Sequence, residues 1–504
     1  MLIFKEIQLL PELFLGISII YLTIHGTFLV TNKKYPLIQN SVSYLSVLCL
    51  IMFCFLLANN SVELNEHCGL NNTIVNDYLS FSSKFLIGIV SIFSLLMIRS
   101  YLTVQKINYF EYTLLLLFAL LGIFLICSSN DLITAYLSIE LQSLSFYITA
   151  AFKKDSTFSI DAGLKYFILG AFSSSLFLFG SSIIYGVSGS TNFDDFKSLF
   201  LLSQIDNSVY TFYKEIAFDA GLMQFALVFI FVSLLFKLAL APFHLWSPDI
   251  YENSPTSSTF FFAVVPKLAI FVLLIRIFYY SFYAFVEKWR YYIVIIALVS
   301  VIVGSFAGLE QRKLKSLLAY SSIGHMGYTL IAFSTGTLEG FQILICYLIF
   351  YMVSSLCIWS IFLLLRLKNH YTKKLNKDLA DLVLLNKSNR TLALFLATVL
   401  LSIAGLPPMV GFLVKLGIFL VSIEASMYFI AAASILCSVI STFYYIRILK
   451  IMYFENVLVG KLYYPINSNI SILIVGLFYS LLFLFINPTL FYLFVYKMSV
   501  LIVI

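Results

Sequence analysis

Residues 236–242 read Phe236-Lys237-Leu238-Ala239-Leu240-Ala241-Pro242 and close an apolar run that starts near Leu222. Proline has no backbone N–H and clashes with the preceding turn, so a helix through this stretch must break and leave carbonyls free. At membrane depth, free carbonyls need water or side-chain donors. A lysine near the middle of a bilayer costs about 2.5–3.5 kcal/mol on insertion scales, so it persists only where partners or water offset that cost. Together the lysine and the proline predict a broken helix lining a polar path inside a membrane. The pattern recurs at Gly405-Leu406-Pro407-Pro408-Met409-Val410-Gly411, followed by Lys415.

Composition makes the membrane reading unavoidable. Hydrophobic residues make up 61% of the 504 positions and charged residues 11%, far more apolar surface than a soluble core can hide. The apolar runs are continuous rather than alternating, which selects helices over a barrel. At about 20 residues per crossing, the runs give about fourteen spans, from Leu9–Val30 to Ile470–Ile486. The fold class expected is an all-α polytopic membrane protein. The first run has no small-residue cleavage site and is expected to be a retained helix. None of the seven cysteines falls in a CxxC pair, which argues against zinc or iron–sulfur ligation and against a disulfide framework. The neighbours His67 and Cys68 read as an ordinary loop pair. The formal net charge of +7 comes from basic residues that cap membrane loops, with no aromatic-interleaved patch for nucleic acid.

Loops after odd-numbered spans hold most of the basic residues, among them Lys33, Lys34, Lys106, Lys165, Arg366, Lys368, Lys373, Lys374, Lys377 and Lys461. Loops after even-numbered spans hold few: Lys84, Lys197, Lys214, Lys288 and Arg290. The positive-inside rule then places both termini on the outer, proton-rich side.

The two proline breaks fall five spans apart. A repeat with an odd number of spans enters the membrane upside down the second time, so spans four to eight and nine to thirteen form a candidate inverted repeat, a plan that builds sites at the midplane. The expected division is an N-terminal three-helix segment over 1–108, a first five-helix repeat over 109–283, a second over 284–454, and a C-terminal helix and tail over 455–504. Glu140 lies nine residues after Asp131, about 14 Å along a helix and so near the midplane. Burial penalises an isolated charge, whereas an opposite charge alongside stabilises it. A Glu140–Lys237 pair would therefore act as a switch: closed, Lys237 keeps its proton; opened, it tends to lose it. Lys267, next to Pro266, could receive that proton through water, and either lysine alone could instead be a structural counter-charge.

The run Lys237-Leu238-Ala239-Leu240-Ala241-Pro242-Phe243-His244-Leu245-Trp246-Ser247-Pro248-Asp249-Ile250-Tyr251-Glu252 closely resembles the signature of the antiporter-like proton-pumping subunits of respiratory complex I. So do Leu318-Ala319-Tyr320-Ser321-Ser322-Ile323-Gly324-His325-Met326-Gly327-Tyr328 and Gly405-Leu406-Pro407-Pro408. Ser138-Ile139-Glu140-Leu141-Gln142-Ser143-Leu144, together with the stretch from Ala162 to Phe172, is similar to the chain 2 type within that family. The likeness runs from about Tyr109 to Phe454, and the first three spans and the last match in character only.

The resemblance implies a fourteen-helix inverted-repeat fold with helices 7 and 12 broken, and a proton path through Glu140, Lys237, Lys267 and Lys415. It adds His325 as a relay, against the plainer reading of a hydrogen-bonded core histidine. His244 is expected to be structural, Arg276 to balance charge or reach the interface, and Asp249 and Glu252 to cap the following helix. The resemblance also implies membership of an NADH:ubiquinone reductase whose redox energy is released elsewhere. No Gly-rich nucleotide loop or cluster-ligand set is present in the sequence, so NADH, FMN, iron–sulfur clusters and ubiquinone are expected in partner subunits. Those partners would be of the chain 4, chain 4L and chain 6 types. The implied location is the mitochondrial inner membrane, with a bacterial plasma membrane as the alternative. The rival function is a self-contained cation/proton antiporter using the same charges.

Overall fold

The computed structural model describes residues 9–503 except 31–34, 60–66, 106, 108, 206–219, 366–377, 384 and 456–467. Of the basic residues used for orientation, Lys33, Lys34, Lys106, Lys214, Arg366, Lys368, Lys373, Lys374, Lys377 and Lys461 lie outside the described residues. The described chain is almost entirely helical. Three helices come first, α1 (Leu10–Val30), α2 (Tyr35–Asn59) and α3 (Tyr78–Gln105), with a small antiparallel hairpin of β1 (His67–Gly69) and β2 (Ile74–Asn76) between the last two. The next elements are α4 (Glu111–Ser128), α5 (Leu132–Ala150), α6 (Thr157–Ser188), a short α7 (Phe193–Ile205), α8 (Ala220–Leu238) and α9 (Trp246–Asn253). After these come α10 (Thr256–Val264) and α11 (Pro266–Ile275), which run on through a π-helical turn (Arg276–Ser281). The second half holds α12 (Val286–Glu310), α13 (Leu314–Ser334), α14 (Leu338–Leu364), α15 (Leu385–Ser388), α16 (Arg390–Ala404), α17 (Val410–Glu424), α18 (Tyr428–Tyr453), α19 (Ser468–Ile486) and α20 (Pro488–Val503).

Ten of the described helical segments are long and apolar enough to cross a membrane, and α19 and α20, which meet at an 87° bend, meet that criterion only as a pair. The other three expected spans are α5, α13 and the broken pair α16–α17. Their shortfall has a chemical cause. The polar residues Glu140 and Gln142 dilute α5, His325 with several serines and glycines dilutes α13, and the proline break splits the span that carries Lys415. Each of these three carries a candidate site residue, Glu140, His325 or Lys415, whereas Lys237 and Lys267 lie on spans that are apolar throughout their length.

Helices cross closely where glycine removes the side chain. A Cβ on Gly122 of α4 would meet Gln142 N at 2.8 Å and Ser138 O at 2.9 Å of α5; one on Gly304 of α12 would meet Gly324 N at 2.5 Å and Tyr320 O at 3.0 Å of α13. The same sequence spacing separates 122 from 304, 138 from 320 and 142 from 324, so one close crossing is built twice. The breaks repeat as well. Ala239 and Gly405 both have positive φ, 58° and 84°, and cis peptides follow at Ala241–Pro242 and Pro407–Pro408. Ala239 N donates to Phe236 O and Leu240 N to Leu235 O, just as Gly405 N donates to Ser402 O and Leu406 N to Leu401 O. The two lysines are not equivalents within this frame, because Lys237 precedes its break and Lys415 follows.

Lys84, expected in a loop, lies inside α3 and is 1% exposed. It forms a 2.5 Å ion pair with the buried Glu12 of α1 and donates to Asn76 Oδ1 at 3.0 Å. Its place near the start of its span hides it from loop counting, whereas a carboxylate two spans away gives it a reason to be buried.

Candidate functional site

Glu140 projects from the middle of α5 and is only partly buried. The expected direct ion pair with Lys237 is not formed: among the described residues neither takes part in a salt bridge. Glu140 Oε2 instead accepts from Ser143 Oγ at 3.2 Å, and Lys237 Nζ makes a long 3.4 Å bond to Tyr147 Oη. Residues 140, 143 and 147 share one face of α5, so a serine and a tyrosine stand between the carboxylate and Lys237. The Tyr147 hydroxyl occupies the notch left by Gly170 of α6, where an added Cβ would stand 1.9 Å from it.

Lys237 closes α8 just before the break. Trp246 Nε1 spans the break by donating to Phe236 O at 2.9 Å, and its ring stacks on Tyr166 at 4.9 Å. Behind this cover is a cavity of about 20 Å³ lined by Lys237, Lys267, Gln142, Ser143, Tyr166 and Trp246, among others. That volume holds a water, and the lining supplies the polar partners a buried water needs. Lys237 and Lys267 thus line one small chamber whose walls are otherwise largely apolar.

Lys267 follows Pro266 at the start of α11, in a span whose apolar stretch is wholly buried within the protein. Its Nζ donates to Tyr351 Oη of α14 at 2.8 Å and lies 4.6 Å from that ring's centroid. The Tyr351 ring is 5.8 Å from the imidazole of His325. His325 is 5% exposed and has a tyrosine hydroxyl at each nitrogen, Tyr347 at 2.6 Å from Nδ1 and Tyr445 at 3.1 Å from Nε2. Lys415 Nζ donates to Ala404 O at 2.8 Å, a carbonyl freed by the second break, and lies 5.5 Å from the Tyr328 ring centroid. Gly405 makes room for it, since a Cβ there would meet Lys415 Cδ at 2.8 Å. The order across the two halves is Glu140, Lys237, the chamber, Lys267, the tyrosine–histidine cluster and Lys415.

A family model described as NADH:quinone oxidoreductase/Mrp antiporter, transmembrane, matches residues 129–441. NADH-ubiquinone oxidoreductase chain 2 of Marchantia polymorpha is 39% identical over 499 residues, covering 98% of each chain. NADH-quinone oxidoreductase subunit N of Pelagibacter ubique is 40% identical over 448 residues, covering 89% of each. The chain belongs to the chain 2/subunit N family. A chain of the respiratory complex I of Thermus thermophilus with bound aureothin matches with a TM-score of 0.78 at 26% identity, covering 96% of this chain and 98% of that one. A chain of the Mrp complex from Dietzia sp. DQ12-45-1b shares the fold at a TM-score of 0.78 and 16% identity, covering 99% and 97%.

All five residues singled out from this family member's sequence fall within the matched stretch, whereas the Glu12–Lys84 pair lies before it. One other expectation changes. Asp249 and Glu252 do not cap α10; they lie in α9 and pair with Lys165 at 3.0 Å and with Lys313. Arg276 is buried and bonds Asp77 Oδ1 at 2.7 Å and Cys127 O at 3.3 Å, so it balances a carboxylate at the foot of α3. His244 Nδ1 is buried with no hydrogen-bond partner among the described residues. Tyr147, Tyr347, Tyr351 and Tyr445 do not stand out in the sequence. A signal was present, because a tyrosine in the middle of an apolar span must find a partner for its hydroxyl, and Tyr347 and Tyr351 stand one turn apart.

Proposed function

We propose that this chain moves protons across the membrane along Glu140, Lys237, Lys267, His325 and Lys415, as the proton-translocating membrane-arm subunit of an NADH:quinone oxidoreductase. The observation that carries the reading is the single water-sized chamber lined by both Lys237 and Lys267. Lysine is suited to the task because its ammonium can lose a proton when desolvated, which arginine does not do in a protein. The repeats over 109–283 and 284–454 would supply the two half-paths, flanked by 1–108 and 455–504.

Moving one charge against 100 mV costs about 2.3 kcal/mol, so the driving energy must arrive through neighbouring subunits. NADH, FMN, iron–sulfur clusters and ubiquinone belong to those partners in this reading, with chain 4, chain 4L and chain 6 types adjacent in the membrane arm. The setting is the inner mitochondrial membrane, or the plasma membrane of a bacterium.

The test is the number of protons moved per quinone reduced by the assembled complex in sealed vesicles, with Lys237→Met, Lys267→Met and Lys237→Arg. All three are expected to lower the ratio. A wild-type ratio in Lys237→Arg would show that this amine need not deprotonate. Sodium/proton exchange by the isolated chain in vesicles would favour an autonomous antiporter instead.

A further inference from the structure

The helix ends that the positive-inside rule predicts to be outer carry few basic residues, yet Lys288 and Arg290 stand together in the first two turns of α12. Arg290 is accounted for, since its Nη2 donates to Ala425 O at 3.2 Å. Lys288 is exposed and takes part in no salt bridge among the described residues. It lies at the edge of a groove between α8 and α12. α8 packs chiefly on α6, and α12 on α13 and α18, which leaves a seam between the two. Aromatic rings wall it: Phe278 of the π-helical turn meets Phe231 of α8 at 5.4 Å and Trp289 of α12 at 5.6 Å, both edge-on. Trp289 Nε1 donates to Phe282 O at 3.2 Å, which fixes that wall in place. Leu227 and Val228 extend the apolar lining. Gln224, in the second turn of α8, is the exception: its Nε2 is buried with no hydrogen-bond partner among the described residues. A buried amide donor left unpaired is costly unless a further group accepts from it. The groove has about 340 Å³ of empty space counted to its open side, of which only about 20 Å³ is roomy enough for water. It is a shallow slot that fits a slender apolar chain laid along it and excludes a compact ligand. Its level in the membrane is marked by Tyr283, Tyr291 and Tyr292, 50%, 73% and 52% exposed, because exposed tyrosines at the end of a span sit among the lipid headgroups.

We infer that this seam is a binding site for one anionic phospholipid, with an acyl chain in the aromatic slot and the phosphate accepting from the Lys288 ammonium and the Gln224 amide. Both groups are donors without an acceptor, and a phosphate oxygen supplies one to each. The lipid belongs to the leaflet that meets the starts of α8 and α12, the outer one in the predicted orientation. A zwitterionic lipid fills the slot equally well but carries its own cation beside the phosphate, so it gains less from Lys288. Bound there, the chain closes the gap between the helices that precede and follow the buried span α10–α11. None of these residues lies on the proposed proton path.

The experiment places the complete complex in phosphatidylcholine vesicles that contain a trace of photoactivatable lipid, either phosphatidylglycerol or phosphatidylcholine with a diazirine on one acyl chain. After illumination, mass spectrometry measures label on Leu227, Phe231 and Trp289, relative to label on the rest of the chain. These three are at most 5% exposed, so lipid reaches them only from within the slot. Phosphatidylglycerol is expected to label them about fivefold more than phosphatidylcholine, the preference that one lysine gives at a membrane surface. Lys288→Gln should bring that ratio close to one, and Val228→Trp, which fills the slot, should remove label from both lipids. Equal labelling by the two lipids in the wild type, or an unchanged preference in Lys288→Gln, would show bulk lipid only and overturn the assignment. No label on the three residues would show that a neighbouring subunit covers the seam, and would overturn it as well. If Val228→Trp fails to assemble, the headgroup comparison and Lys288→Gln, a change at an exposed position, decide the question alone.

Discussion

Glu140 shows how much a single residue's role depends on what lies between it and its target. A direct pair with Lys237 would make the carboxylate a clamp; with Ser143 bonded to it and Tyr147 bonded to Lys237, it is a charge acting from a distance. The charge itself should then matter more than side-chain length. Glu140→Asp is expected to keep part of the proton-to-quinone ratio and Glu140→Gln to lose most of it, because Gln preserves size and hydrogen bonding but removes the charge that favours protonated Lys237. A purely structural Glu140 predicts the reverse ranking, since a neutral amide is cheaper to bury than a carboxylate. The measurement is protons moved per quinone reduced in sealed vesicles for both variants, after assembly has been checked. Near-normal ratios in both would remove Glu140 from the path.

At the level of elements, the broken helices were legible because proline and lysine are anomalous in an apolar run, and Lys237, Pro242, Pro407 and Pro408 could be read with no partner in view. The residues that connect them were less legible. Tyr147, Tyr351 and Tyr445 are unremarkable in a chain with 33 tyrosines, and only helix packing shows which hydroxyls face a lysine or a histidine. Lys84 was misassigned for the opposite reason: it sits close to a span boundary, and its partner Glu12 is 72 residues away. The α5–α6 packing allows a sharp test. Gly170→Ala would place a Cβ 1.9 Å from the Tyr147 hydroxyl, and the ring, being the movable partner, should swing away and give up its bond to Lys237. The expected outcome is a complex that assembles but pumps less, with partial recovery in Gly170→Ala/Tyr147→Phe if the clash, and not the lost hydroxyl, causes most of the defect. Normal pumping in the single variant would show that Tyr147 does not connect Glu140 to Lys237.

Across the whole molecule, the ion pairs found among the described residues lie toward the ends of the helices, whereas Lys237, Lys267 and Lys415 in the middle have no carboxylate within pairing distance. One end holds Glu12–Lys84 and Asp77–Arg276; the opposite end holds Lys165–Asp249 and Lys313–Glu252. In the orientation that the positive-inside rule predicts, the first group would lie at the outer face and the second at the inner face, where positive residues are expected. Protease applied to one side of sealed vesicles should therefore cut the 366–390 loop only from the inner side, and cleavage from the outside would reverse the orientation. The Glu12–Lys84 pair makes a separate claim about stability. Both side chains are almost fully buried, 6% and 1% exposed, so removing one partner leaves an uncompensated charge at a cost of about 3–5 kcal/mol, while replacing both with apolar residues of similar size is often close to neutral. Lys84→Met and Glu12→Leu should each lower the thermal midpoint of the purified complex, and the double variant should recover most of the loss. If the two losses simply add, the pair does not interact as a buried ion pair, and the three N-terminal helices are held together by apolar packing alone.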